Sequence, residues 1–215
     1  KIMSNDTNIK SKFFGPNGGN TQITATNSTN LAAEQDVADG ADLTLAALAT
    51  GGAMCGPGFA QRVKLVSGAN DNNSGVTYTI IGTDVNGVSQ TEDIAGPAGG
   101  GENKLALFYR TVTKVTGNGA VSVDISMGTD GVFTAPIFTG RTRIRGFTGV
   151  AAAGTLEIRS VSTAGTIEME TVAAAGAYQP HVPHNGILCP AGAFLGTDTD
   201  IMDGAGSGLT VYFDG

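Results

Sequence analysis

The chain has 215 residues, 33 of them glycine, with 14% charged residues and a formal net charge of −7. That length suffices for a buried core in one large or two small domains, and an apolar share of 40% is too high for a disordered chain. An acidic chain without a strongly basic segment argues against nucleic acid and anionic membrane as partners, and no apolar run approaches the ~18 residues of a membrane span.

Nothing in the sequence reads as a signal peptide. Residues 1–40 read as an N-terminal arm. Residues 1–30 are rich in Asn, Thr, Ser and Gly, and their apolar anchor is Phe13-Phe14, close to Lys10 and Lys12. Two readings stand for this segment. It is a disordered tail, or it orders by pairing with a neighbouring subunit, with Phe13 and Phe14 as the plug. Residues 31–37 (LAAEQDV) read as one or two helical turns, the only helix expected. Residues 42–48 (DLTLAAL) alternate and read as a first strand.

Residues 61–66 (QRVKLV) read as the next strand. The stretch 76–94 (VTYTIIGTDVNGVSQTEDI) reads as a β-hairpin. Val76, Tyr78 and Ile80 share one face, and Asp84-Val85-Asn86-Gly87 turns the chain, because Asn-Gly supplies the positive φ that tight turns need. A glycine loop, 96–101, leads to a strand at 105–115. Another strand covers 120–126, and Gly128-Thr129-Asp130-Gly131 is expected to close a first domain, 41–135.

The second domain, 136–215, begins with a strand at 141–147 (RTRIRGF). The heptad AGTLEIR at 153–159 recurs as AGTIEME at 164–170, a spacing typical of a β meander. Residues 178–184 read as an extended, proline-broken edge. Asn185-Gly186 then turns into 187–190, and 209–213 (LTVYF) forms a last strand. The pattern predicts an all-β fold: two sandwich- or jelly-roll-like domains preceded by an extended arm.

Sites for chemistry are few. Gly96 to Lys104 has the outer glycine spacing of a phosphate loop, but Glu102 occupies the place of the phosphate-binding lysine and would repel phosphate. Asp198, Asp200 and Asp203 suggest a calcium loop, yet the acids are out of phase with the known 12-residue pattern, so a solvated acidic turn is preferred. His181 and His184, with Cys55 or Cys189, have the chemistry of a zinc site. Pro180 and Pro183 hold that segment extended, so the two histidines do not share a helical face. The two cysteines read as buried free thiols, a single disulfide being the alternative. No nucleophile elbow or carboxylate pair stands out, and neither an enzymatic activity nor a cofactor is expected.

Arg141, Arg143 and Arg145 fall on one side of their strand. Glu157, Arg159, Glu168 and Glu170 fall on the charged side of theirs. The preferred reading is a ladder of cross-strand ion pairs on a solvated face. The alternative is an arginine stripe that docks on an acidic partner subunit.

The order of motifs resembles small virion proteins encoded by tailed bacteriophages. The residues that carry this are Gly82 to Gly87, then Thr91-Glu92-Asp93-Ile94, then Phe108 to Val115 (FYRTVTKV). In the second half they are the arginine-rich strand, Gly186 to Gly192 (GILCPAG) and the terminal Thr210-Val211-Tyr212-Phe213. The resemblance implies a virion structural role and does not fix the place in the particle. Taken with all-β domains, low charge, a polar N-terminal arm and no catalytic set, it makes the leading expectation a non-enzymatic decoration or cement protein on the capsid exterior, a homo-oligomer, as a trimer, in contact with the major capsid protein or other virion proteins. The expected interface residues are Lys10, Lys12, Phe13, Phe14, Arg141, Arg143 and Arg145. A tail, neck or fibre component is the alternative, and a carbohydrate-binding module or adhesin a further one.

Overall fold

The computed structural model of the chain describes residues 9–14, 27–38, 40–46, 59–119, 121–151, 153–161, 165–197 and 208–215. All regular structure among them is β. The chain divides into a central unit, Asn20–Thr134, and a terminal unit formed by Lys1–Gly19 with Ala135–Gly215. Lys10–Phe14 is strand β1, and it belongs to the terminal unit.

The central unit is a sandwich. One sheet contains β2 (Asn27–Val37), β3 (Ala60–Ser67), β6 (Glu102–Tyr109) and β8 (Val121–Phe138), which begins here and ends in the terminal unit. β2 and β3 both pair with β8, and β6 pairs with the far edge of β3. The other sheet has the order β5 (Ser89–Ala95), β4 (Thr77–Thr83), β7 (Thr111–Gly117). Leu31, Leu65, Leu105 and Met127 from the first sheet meet Tyr78, Ile80, Val112 and Val115 from the second in one buried cluster. Alternating strands bury one face each, so two such faces make a core.

The 76–94 hairpin forms as its pattern predicts. Tyr78 pairs with Ile94 and Thr83 with Ser89. Tyr78 and Ile80 are fully buried, while Thr77, Thr79 and Ile81 are half-buried. Gly87 takes φ +82°. The Asp84 side chain accepts from the Asn86 and Val88 amides at 2.9 and 2.8 Å, which fixes the turn.

Four expectations change. Residues 31–37 are strand, not helix: β2 lies along β8, with Leu31, Ala32 and Val37 buried. The helix propensity of that segment amounts to a few tenths of a kcal/mol per residue. Pairing with β8 and burial of three apolar side chains outweigh it. Gln35 also ties this strand to the next segment, through the Thr44 amide at 2.8 Å and the Thr44 carbonyl at 3.1 Å. Residues 42–46 form no strand beyond a bridge from Asp42 to Thr116, and 47–48 lie outside the described residues. The 105–115 strand breaks at Arg110, where the chain leaves β6 in one sheet and enters β7 in the other.

Gly128 to Gly131 is the fourth change. It closes nothing, because β8 continues through it, with Gly131 at φ +78° where the register with β3 slips. A side chain at Gly128 would strike the Asn27 carbonyl of β2, so this glycine serves close approach of two strands. Gly82 does the same against the Thr111 carbonyl and the Tyr109 ring.

The terminal unit also has strands in two sheets. One has the order β1, β15 (Gly208–Asp214), β9 (Thr142–Ala151), β12 (Gly176–Tyr178), with β13 (Ile187–Cys189) also paired to β9. In the second, β10 (Gly154–Ser160) lies between β11 (Ile167–Ala173) and β14 (Ala193–Thr197). The two halves of the sequence repeat are therefore neighbours, β10 and β11.

Replacing Gly128 or Gly82 by Ala is expected to lower stability by about 1–3 kcal/mol. The readout is a reduced denaturant midpoint with an unchanged slope; unaltered midpoints would remove the close-approach account. The Tyr109 hydroxyl is buried without a hydrogen-bond partner. Tyr109→Phe is therefore expected to be neutral or stabilising by up to about 1 kcal/mol, and a clear loss in the same assay would show that the hydroxyl is satisfied.

Candidate functional site

The sheet β1-β15-β9-β12 has one buried and one outward face. On the buried face lie Phe14, Leu209, Val211, Phe213, Ile144 and Phe147, all 5% exposed or less. The outward face follows from register: Phe13 opposes Thr210, Ser11 opposes Tyr212, Tyr212 opposes Gly146, and Leu188 opposes Arg143. Directly paired residues point the same way. This face leaves Phe13 57%, Val150 48%, Leu188 38% and Tyr212 36% exposed. The rings lie beside glycines: a side chain at Gly208 would strike the Phe13 ring, and Tyr212 comes closest to Gly146.

The arginines occupy the same face. Between Tyr212 and Phe213 the register slips, since Gly146 and Ile144 pair while Arg145 is left over. This bulge frees Arg145 to reach Asp214, with Nε 2.7 Å and Nη2 2.5 Å from Oδ2. Arg143 donates from Nη1 to the Asn185 carbonyl at 2.9 Å. Arg141, just before β9, is exposed. Neither Arg141 nor Arg143 has a carboxylate partner among the described residues. Two open grooves of about 200 and 350 Å³ flank Arg145, the first lined by Arg141, Arg143, Leu188 and Asp214, the second by Phe147, Gln179 and His181.

The expected ion-pair ladder does not form. β9 lies in one sheet, and β10 and β11 lie in another, so the arginines have no glutamate rungs beside them. Glu157 pairs instead with Arg159 on its own strand, at 2.6 Å, and is 8% exposed. Arg159 also donates to the Gly165 carbonyl, and Ser160 donates to Glu168 at 2.5 Å.

The N-terminal candidates divide. β1 pairs with β15 of its own chain over five residues, so residues 10–14 are neither a tail nor an arm laid on a neighbour. Phe14 is 1% exposed. Lys10 Nζ sits 5.2 Å from the centre of the Phe138 ring and donates to the Gly215 carbonyl at 2.6 Å. Lys12 donates to the Pro136 carbonyl at 2.6 Å, and its burial lowers its pKa. Phe13 alone of the four turns to the outward face.

His181 and His184 are exposed, and Cys189 is free and fully buried. The acids Asp198, Asp200 and Asp203, and Cys55, lie outside the described residues. Glu102 opens a strand and accepts from Lys64 at 2.7 Å; that hydrogen bond lowers its pKa more than burial raises it. Among the described residues, the group of His, Cys, Asp and Glu close enough to share a cation is Glu34, Asp71 and Asp124, on the surface of the central unit.

Sequence reasoning missed Tyr212, Val150, Leu188 and Asp214 as companions of the arginines. The alternation in LTVYF places Tyr212 opposite Leu209 and Val211, which was a usable signal. The Arg145 bulge left none. Comparison with known protein families, with curated proteins and with solved structures returned no match.

Burial, with Glu168 adding to it, pushes the Cys189 thiol up to about 11. The thiol stays protonated and inert near neutral pH. Iodoacetamide at pH 8 is expected to spare the Cys189 peptide in the folded chain and label it in denaturant, as read by mass mapping. Equal labelling in both states would contradict this environment.

Proposed function

We propose that the protein is a non-enzymatic structural component of a tailed-phage virion. In this reading it is a capsid decoration or cement protein that acts as a homo-oligomer, a trimer, on the capsid exterior. The observation that carries the reading is the outward face of the terminal sheet. Four large apolar side chains and three arginines share it, on a chain whose net charge is −7. Large apolar side chains exposed together on one sheet face mark binding to another protein. Aromatic and arginine side chains are also the types enriched at the centre of such interfaces. The phage-like order of motifs in the sequence supplies the kind of particle.

Partners are other copies of the chain and the major capsid protein or another virion protein. Phe13, Arg141 and Arg143 are the contacts on the outward face. Lys10, Lys12 and Phe14 hold β1 in place beneath it.

The test is imaging of purified particles together with mass photometry of the isolated chain. Density for an oligomer of this chain on the capsid surface is expected. A chain that stays monomeric and never joins capsids would overturn the reading. Density at the tail or neck would move the protein to another virion position.

A further inference from the structure

Charge is divided unequally along the chain. The central unit spans eleven acidic and five basic residues, and the terminal unit eight and seven. The excess is six negative charges in the first and one in the second, which together make the net −7. The terminal sheet nevertheless presents Arg141 and Arg143 with no carboxylate partner among the described residues, beside Phe13, Tyr212 and Leu188. On the central unit, Glu34, Asp71 and Asp124 bring carboxylate oxygens within 4.8 Å of one another, and no cation among the described residues pairs with them. Gly68 makes room for this: a side chain there would collide with the Asp71 carboxylate and come within 3.1 Å of Glu34.

We infer that the arginine-bearing outer face of the terminal sheet docks on the acidic surface around Glu34, Asp71 and Asp124 of a second copy of this chain. The argument is charge complementarity. Like charges held this close repel one another, and each gains when an opposite charge approaches. The face that supplies the cations also supplies apolar area, which is where association free energy comes from. Steering by opposite fields raises the encounter rate and selects the orientation. The two surfaces differ, so the contact is head-to-tail. A head-to-tail contact closes into a ring when its rotation allows, and a three-membered ring is one such closure. The inference rests on the homo-oligomer part of the reading above and names its surface.

The test uses the full chain, by mass photometry and sedimentation velocity over a range of concentrations. The wild-type chain is expected to self-associate, more weakly at about 0.5 M salt than at about 0.05 M. Arg141→Glu with Arg143→Glu, and separately Glu34→Lys with Asp124→Lys, are each expected to weaken association at least tenfold, roughly 1.4 kcal/mol. Far-UV circular dichroism and melting should stay unchanged. Arg145 is left intact because it holds Asp214. Mixing the two variants restores opposite charge at each contact between unlike chains and is expected to restore their pairing, while a closed three-membered ring would keep one like-charge contact.

Three results would overturn the inference: a wild-type monomer at all concentrations, association that ignores either reversal, or a mixture in which the two variants do not pair with each other. The virion reading fails separately. A self-associating chain absent from particles removes the virion reading alone, and a monomer found on capsids removes this inference and the homo-oligomer part of the reading while its virion part stands.

Discussion

Strand β8 spans eighteen residues, and apart from Pro136, which has no N–H, each carries a backbone donor and acceptor that need partners. The central unit supplies them over residues 121–134. β2 covers one edge of β8, and β3 covers the other. β6 then pairs with the far edge of β3, so neither β8 nor β3 exposes a bare edge over its paired length. The second sheet has only to close over the apolar face this creates. The cost falls on particular positions. Gly128 has to lack a side chain, or β2 is displaced from β8.

Buried charge is confined and paired among the described residues. Asp130, on β8, has a side chain only 1% exposed, and Arg62 lies 2.6 Å from its Oδ2. Its Oδ1 accepts from the Val132 amide. Lys104 links it to Glu102, which in turn holds Lys64. A buried carboxylate left unpaired would cost several kcal/mol, so such a chain of partners decides register and not only stability. Asn73 has a similar role in the loops. Its side chain accepts from the Tyr78 hydroxyl and donates to the Asp124 carbonyl, which ties the 67–75 loop to the hairpin and to β8.

The terminal sheet treats its faces differently. One is closed by Phe14, Phe147 and Phe213. The other combines exposed rings with guanidinium groups, two of them without a carboxylate partner among the described residues, which neither packing inside the sheet nor solvation of isolated charges requires. Scattered apolar residues on a surface need no explanation, but four large ones sharing one sheet face with arginines do. The β9 bulge matters because it leaves Arg145 without a paired residue and lets it reach Asp214. Asp214 then neutralises one of the three arginines and leaves two.

Period-two alternation made the all-β class legible, together with the 76–94 hairpin, its Asp84–Gly87 turn and the meander of the 153–170 repeat. Those features are local, because turn chemistry and side-chain alternation act over a few residues. The alternation of 141–147 and 209–213 also put the arginines on one side of a strand and Tyr212 on one side of another. What lay beyond the sequence was partner choice. Residues 31–37 became strand because β8 offered hydrogen bonds and a core to face. The 105–115 run split at Arg110 because its halves belong to different sheets. The Gly-Thr-Asp at 128 lies inside a strand, because glycine permits a close approach as readily as a turn. Tertiary structure alone decided that the arginines share a face with Phe13 and Tyr212 and not with the glutamates of the repeat. Which strands become neighbours depends on contacts between residues far apart in the chain, and no local pattern encodes those.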